Sequence, residues 1–430
     1  MLKSFKIRNF KSILDEIISL DYAEKKAPNG YKALPILPFL ENVKGDRLIP
    51  LLMIFGANAS GKTNLVEGIQ VFKKVLHNGI DGNYFPNKLN PKYSSTRFEI
   101  HFSTEKDIYL YTLDYNAKCI LEESLSQGET TLFSIKTTID TQAEGGKERY
   151  ETKTDFKNIV QEGYGIPELL RVFEVECFYD DERQVKSFLW KIVDKYPGLN
   201  SSLREAKEHL SNKITGTMSN NLHPSTIKWL TTGKEDAYEK KLFKKISDAI
   251  TRLDIDITHF KVETVQTKNS RFRIEDGRII QTKPTEDKIF TYHKDVWGEE
   301  VPFDFLKEES AGTKRLFGLL AMLFVALEEG RTVFVDELDS SLHPFLVSYL
   351  IDLFKNKETN TTNAQLIITT HNPYALEQNS IRISEVAFTN KTLRSGTQLK
   401  YLYQFEDIRN TTDFVKQYLE GRLTGIPLIY

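Results

Sequence analysis

The stretch "IPLLMIFGANASGKT", Ile49 to Thr63, constrains the fold of this chain more than any other feature. Ile49 to Phe55 is wholly apolar and reads as a buried strand. It runs directly into "GANASGKT", a full match to G-x-x-x-x-G-K-[ST], and a helix pattern follows to about His77. In that order the glycines let successive backbone N–H groups close around phosphate oxygens, so Gly56, Asn58, Ser60 and Gly61 are assigned to a phosphate cradle. Lys62 is placed to reach the β and γ phosphates of a nucleotide, and the Thr63 hydroxyl to ligate Mg²⁺.

The remaining patterns supply a sheet and helices around this unit. Strand "TVFVDE", a helix through "PFLVSYLIDLFK", then "AQLIITTH" and "SEVAFTN" have the alternation of a parallel sheet faced by helices, so the class is α/β. Between about Arg97 and Ile139, four alternating segments with short turns predict an antiparallel meander. From about Asp181 to Ile250 the pattern turns helical without a sustained heptad, which predicts a compact insertion instead of a long coiled coil. The expected division is a nucleotide-binding lobe over 1–155, a mainly helical insertion with flanking strands over 156–290, and a second lobe over 291–430. Between Arg183 and Arg273 stand 18 Lys or Arg against 10 Asp or Glu, in a chain of net charge −2. That local excess reads either as solvated helix faces or as a surface for nucleic acid or another protein.

Three further motifs carry chemistry. In "TVFVDELDSSLHP" the strand delivers Asp336 to its polar end, where a carboxylate can hold Mg²⁺, and Glu337 follows as the candidate base that polarises an attacking water. The competing reading is a helix cap, a task open to Asp339, Ser340 or Ser341. His371 closes the next apolar strand, as a strand-end residue or as a hydrogen-bond donor to a γ-phosphate; the P-loop upstream favours the second. "ESAGTKR", opening the apolar run Leu316 to Leu327, is either a helix N-cap at Ser310 or a second phosphate-facing turn.

Composition excludes several classes. No apolar run reaches the roughly 18 residues that span a bilayer, and the N-terminus lacks the pattern of a signal peptide. Cys119 and Cys177 have no ligand-spaced partners, which argues against a disulfide framework or zinc site and fits a reducing cytoplasm. His101, His223, His259, His293 and His343 likewise lack metal-ligand spacing.

In order, "GANASGKT", "ESAGTKR", "FVDELDSSLHP" and "TTHNP" resemble the P-loop, signature, Walker B with D-loop and switch histidine of ATP-binding-cassette (ABC) ATPases, in the soluble branch shared with chromosome-maintenance and overcoming-lysogenisation-defect ATPases. "IRNFKS", Asn64 after the P-loop and "YLEGRLTGIP" are similar to small phage-defence ATPases such as the abortive-infection AbiL type and the AriA subunit of PARIS systems. The resemblance implies an ABC-type fold with a mixed sheet, Mg²⁺-dependent ATP hydrolysis, and Asn64 at the nucleotide. It also implies a homodimer in which Ser310 and Gly312 of one copy contact the γ-phosphate held by the other. The implied role is a sensor or scaffold of an anti-phage system, controlling a separate effector. The alternative is a DNA-repair or chromosome-type ATPase that binds DNA through the insertion; a scaffold with little turnover and a transporter ATPase fit less well. The residues after His371 read as terminal strands and a helix, so no nuclease domain is expected there. Two departures stand out: Gln127, Gln161 and Gln184 do not match the family's glutamine loop, and Ala311 replaces a glycine of many relatives.

Overall fold

Leu51–Gly56, Gln365–Thr370 and Thr332–Val335 are buried at every residue, as near-continuous apolar runs require of central parallel strands. The computed structural model describes residues 1–23, 37, 39–89, 91–140, 149–156, 158–159, 186–196, 198–217, 237–253, 256–266, 271–275, 278–282, 285–377, 381–392, 394–405 and 414–423. Two units form, Met1–Met218 with Ala326–Asp339 and Ile351–Tyr430, and Ser219–Val325 with Ser340–Leu350.

The first unit is built on a thirteen-stranded mixed sheet. From one edge its order is Arg149–Asp155, Thr130–Asp140, Ile120–Gln127, Ile108–Tyr115, Thr96–Ser103, Leu2–Phe10, Ile13–Ser19, Gly396–Tyr401, Val386–Thr392, Leu51–Gly56, Gln365–Thr370, Thr332–Val335 and Ile214–Thr217. The expected meander forms four neighbouring strands of the antiparallel half, Thr96–Ser103 through Thr130–Asp140. In the parallel half, Phe55 lies opposite Thr370, Gly56 opposite Thr389, and Val335 opposite Ile368. This register brings the P-loop, Asp336 and His371 to the same carboxyl edge of the sheet, the usual location of ligands in such sheets. Buried Gln365 ties the two halves: its Oε1 accepts from Leu2 N at 2.7 Å and Thr332 Oγ1 at 2.9 Å, and its Nε2 donates to Leu2 O at 2.9 Å.

Helix Lys62–Asn78 buries Leu65, Val66, Ile69, Phe72, Val75 and Leu76, a helical stripe laid against the sheet. Phe72 packs on Phe5, Phe98 and Tyr111 with ring centroids 5.7–5.9 Å apart. The same core takes in Phe188, Leu189, Ile192, Leu203, Leu210 and Ile214. Residues 186–217, expected in the insertion, therefore fold into the first unit. Their helical reading is also interrupted, since Ile214–Thr217 forms the edge strand parallel to Thr332–Val335. Glu123 holds this segment down. Its fully buried carboxylate accepts from Ser187 Oγ, Phe188 N and Leu189 N at 2.7–3.0 Å and from Tyr111 Oη at 2.9 Å, capping helix Phe188–Ile192.

In the second unit, helix Ala237–Leu253 accompanies an antiparallel sheet ordered Ile257–Gln266, Thr285–Lys294, Glu300–Asp304 and a hairpin of Arg271–Glu275 with Arg278–Thr282. Phe260, Phe305 and Phe317 centre its core, with centroids 4.9–5.9 Å apart. Among the described residues no helix is long and apolar enough to cross a membrane.

Candidate nucleotide site

The loop after Leu51–Gly56 turns tightly because two positions adopt left-handed backbone, Ala59 at φ 63° and Gly61 at φ 102°. Gly56 has no room for a side chain: a Cβ there would stand 2.1 Å from Thr389 Oγ1. Behind the loop runs a chain of hydroxyls. Ser60 Oγ pairs with Thr389 Oγ1 at 2.6 Å, Thr397 Oγ1 donates to Ser60 O at 3.0 Å and pairs with Ser12 Oγ at 2.7 Å, and Asn64 Nδ2 donates to Ser12 Oγ at 2.6 Å. The side chains of Ser60 and Asn64 thus hold the loop in place. Lys62 and Thr63 open the helix, so their N–H groups have no intrahelical acceptor, the condition that suits a helix start to an anion.

Lys62 is buried and folds back, with Nζ donating to Gly56 O at 2.7 Å and Ala57 O at 3.0 Å. Burial lowers its pKa to about 8, against the opposing pull of Asp336, Glu337 and Asp339. Nζ also lies 3.3 Å from His371 Nδ1. An ammonium only donates, so Nδ1 accepts and the imidazole proton sits on Nε2, which is 3.6 Å from Glu337 Oε1. Lys62, His371, Glu337 and Asp336 are thereby assembled around one loop. Glu337 and His371 keep 41% and 36% side-chain exposure, so both open onto the surface.

Three site residues escaped the sequence reading. Thr369 Oγ1 donates to Asp336 Oδ1 at 2.5 Å and accepts from Glu337 N at 2.8 Å, while Glu337 itself has φ 48°, rare for a residue with a Cβ. Asp339 Oδ2 accepts from His371 N at 3.3 Å. Thr389, on the neighbouring strand, holds Ser60. The repeated acid in "DELD" and the threonine two places before His371 were the available signals. Helix Pro344–Lys355 is capped neither by Asp339, Ser340 nor Ser341 but by His343, whose Nδ1 accepts from Phe345 N at 3.3 Å.

Ser310 and Gly312 lie in the second unit. Ser310 Oγ accepts from Thr313 N at 3.0 Å at the start of helix Ala311–Glu329, so it does serve as an N-cap. Gly312 sits where a Cβ would be 3.1 Å from Ser341 O. Gln127 Nε2 donates to Asp107 at 3.1 Å, and Gln161, Gln184 and Cys177 lie outside the described residues.

The Mg²⁺ called for by the P-loop finds a fitting donor set. Thr63 and Asp336 offer oxygen, the hard donor that ion takes, and among the described residues no group of three or more His, Cys, Asp or Glu is arranged to hold a metal.

A strand–P-loop–helix unit with a strand-end Asp-Glu pair and a histidine beside the P-loop lysine defines a P-loop ATPase domain. By sequence, residues 51–136 and 193–377 match the family described as AAA domain, putative AbiEii toxin, Type IV TA system, and the chain belongs to that family. No curated protein matches it. Among solved structures it is similar to the SMC head domain from Thermotoga maritima, at 16% identity over 93% of this chain and 98% of that chain, with a TM-score of 0.40. It is also similar to the recombination mediator protein RecF-ATPrS in the RecFOR pathway, at 12% identity over 94% and 98%, with a TM-score of 0.37.

Proposed function

We propose that this chain hydrolyses ATP between two copies of itself and serves as the sensor or scaffold of an anti-phage system whose output comes from a separate effector. The observation that carries the catalytic part is the convergence of Lys62, His371 and Glu337, with Nζ–Nδ1 and Nε2–Oε1 separations of 3.3 and 3.6 Å. Phosphate oxygens compete for an ammonium better than two peptide carbonyls do, so nucleotide entry draws Nζ away from Gly56 O and Ala57 O. His371 Nε2–H then donates to the γ-phosphate, and Glu337 accepts the proton of the attacking water. Thr63 and Asp336 would hold Mg²⁺, which when bound would neutralise charge on the phosphates. The exposure of Glu337 and His371 supports closure by another copy, whose Ser310 and Gly312 turn meets the γ-phosphate. The family description, which names a toxin and a type IV toxin–antitoxin system, supports the defence role.

A second reading, binding of nucleic acid through the insertion, is favoured by Lys240, Lys241, Lys244 and Lys245, all exposed on two turns of helix Ala237–Leu253. One experiment addresses both. Glu337→Gln is expected to slow ATP turnover by about 100-fold or more, retain ATP binding, and sediment as an ATP-dependent dimer. Near-normal turnover would remove Glu337 from the mechanism, and a monomer at saturating ATP would remove the composite site. Affinity capture of the trapped form from infected cells should bring down a protein effector; capture of nucleic acid alone would favour the second reading.

A further inference from the structure

We infer that Thr369 is a positioning residue that sets Asp336 and Glu337 at once. This rests on the hydrolase reading above. Thr369 is fully buried at the second-last position of strand Gln365–Thr370, two residues before His371. Its single hydroxyl is used twice. The hydrogen goes to Asp336 Oδ1 at 2.5 Å, within the range of a charge-assisted O–H···O⁻ bond, and the oxygen receives Glu337 N–H at 2.8 Å. The backbone of the same threonine reaches one residue further, where Thr369 O accepts from Leu338 N at 3.1 Å.

The geometry at Glu337 explains why such a clamp is needed. Asp336 ends a strand, and the chain must turn at once if the next carboxylate is to lie toward His371. Glu337 makes that turn with φ 48°, a conformation an L-residue keeps only when its surroundings hold it. Thr369 fixes the peptide on both sides of Glu337, through its N–H and through that of Leu338. The bond to Oδ1 also fixes the Asp336 carboxylate about its own axis, which decides how its other oxygen is presented to a metal. Register does the rest: Val335 lies opposite Ile368, so Thr369 and Asp336 are the next residues on adjacent parallel strands, where a side chain of this length can bridge them. Thr369 is buried and bonds to both residues, so its action is on their orientation.

Three proteins test this: wild type, Thr369→Val, which keeps the shape and loses the hydroxyl, and Thr369→Ser, which restores it. In the nucleotide-free proteins, hydrogen exchange at the peptide covering residues 335–339 should quicken about tenfold or more in Thr369→Val and return toward wild type in Thr369→Ser. Turnover at saturating ATP should fall about 10- to 100-fold in Thr369→Val, and the Mg²⁺ concentration giving half-maximal ATP binding should rise, while ATP affinity in excess chelator stays within about twofold. Thr369→Ser should recover turnover to within about threefold. Unchanged exchange in Thr369→Val would overturn the clamp whatever the activity. Loosened exchange with wild-type turnover, or equal loss of ATP affinity with and without Mg²⁺ and no rescue by serine, would overturn the positioning role. A wild-type chain without ATP turnover would refute the hydrolase reading and with it the positioning role, while the exchange experiment would still decide the clamp.

Discussion

The depressed pKa of Lys62 should make ATP binding sensitive to alkaline pH. Burial brings the group to about 8, with the nearby carboxylates of Asp336, Glu337 and Asp339 limiting the fall. The phosphates of ATP favour the ammonium form, so above pH 8 binding must take up a proton. If only the ammonium form binds, the dissociation constant grows as one plus ten raised to the difference between pH and pKa. Relative to the plateau below pH 7, that is about twofold at pH 8 and about 11-fold at pH 9. Calorimetric titration with ATP in two buffers of different ionisation enthalpy measures both quantities, and proton uptake should approach one per ATP near pH 9. Lys62→Arg stays charged throughout and should bind with a flat profile between pH 7 and 9.5. The contribution of Lys62 to stability has the opposite sign. Its folded pKa lies below the unfolded 10.5, so the folded state binds fewer protons between about 8 and 10.5, and this contribution rises with pH there. Weaker binding at pH 9 is therefore not an unfolding effect of this group. A flat wild-type profile, or a slope that persists in Lys62→Arg, would refute the assignment.

Ser310→Arg should bind ATP normally and fail to hydrolyse it, and mixing it with Lys62→Ala should restore partial turnover by creating one composite site with both halves intact; full hydrolysis by Ser310→Arg alone would reduce Ser310 to the N-cap it already forms. Glu123→Ala should destabilise the first unit by about 2–6 kcal/mol in denaturant melts, since the N–H groups of Phe188 and Leu189 lose their buried acceptor. Burial raises the Glu123 pKa above its unfolded value near 4.5, so its contribution to stability is lost as pH rises through the folded value; Glu123→Gln should abolish that slope, and an unchanged slope would point to another group.

The strand, P-loop and helix were legible in the sequence because they are local. Leu51–Gly56, the loop and helix Lys62–Asn78 are contiguous, and an apolar strand, a glycine turn and a helix start dictate one another within about thirty residues. Asp336 and His371 were legible for the same reason, each ending an apolar strand whose next residue had to emerge at the sheet edge. What tertiary structure alone decided are the contacts that polar residues make across long stretches of chain. Glu123 looks like one more surface acid in "LEESLS" until Ser187 and the start of helix Phe188–Ile192 arrive 64 or more residues later and bury it. "ITGT" at Ile214–Thr217 carries no strand signal of its own and becomes a strand by pairing with Thr332–Val335, which transfers its neighbours from the expected insertion to the first unit. Ser12, Thr369, Thr389 and Thr397 are ordinary hydroxyl residues by pattern, yet sheet order sets them around the P-loop and the Asp-Glu pair. A buried hydroxyl must find a partner, and which partner it finds depends on strand register, a property of the assembled sheet that no short stretch of residues encodes.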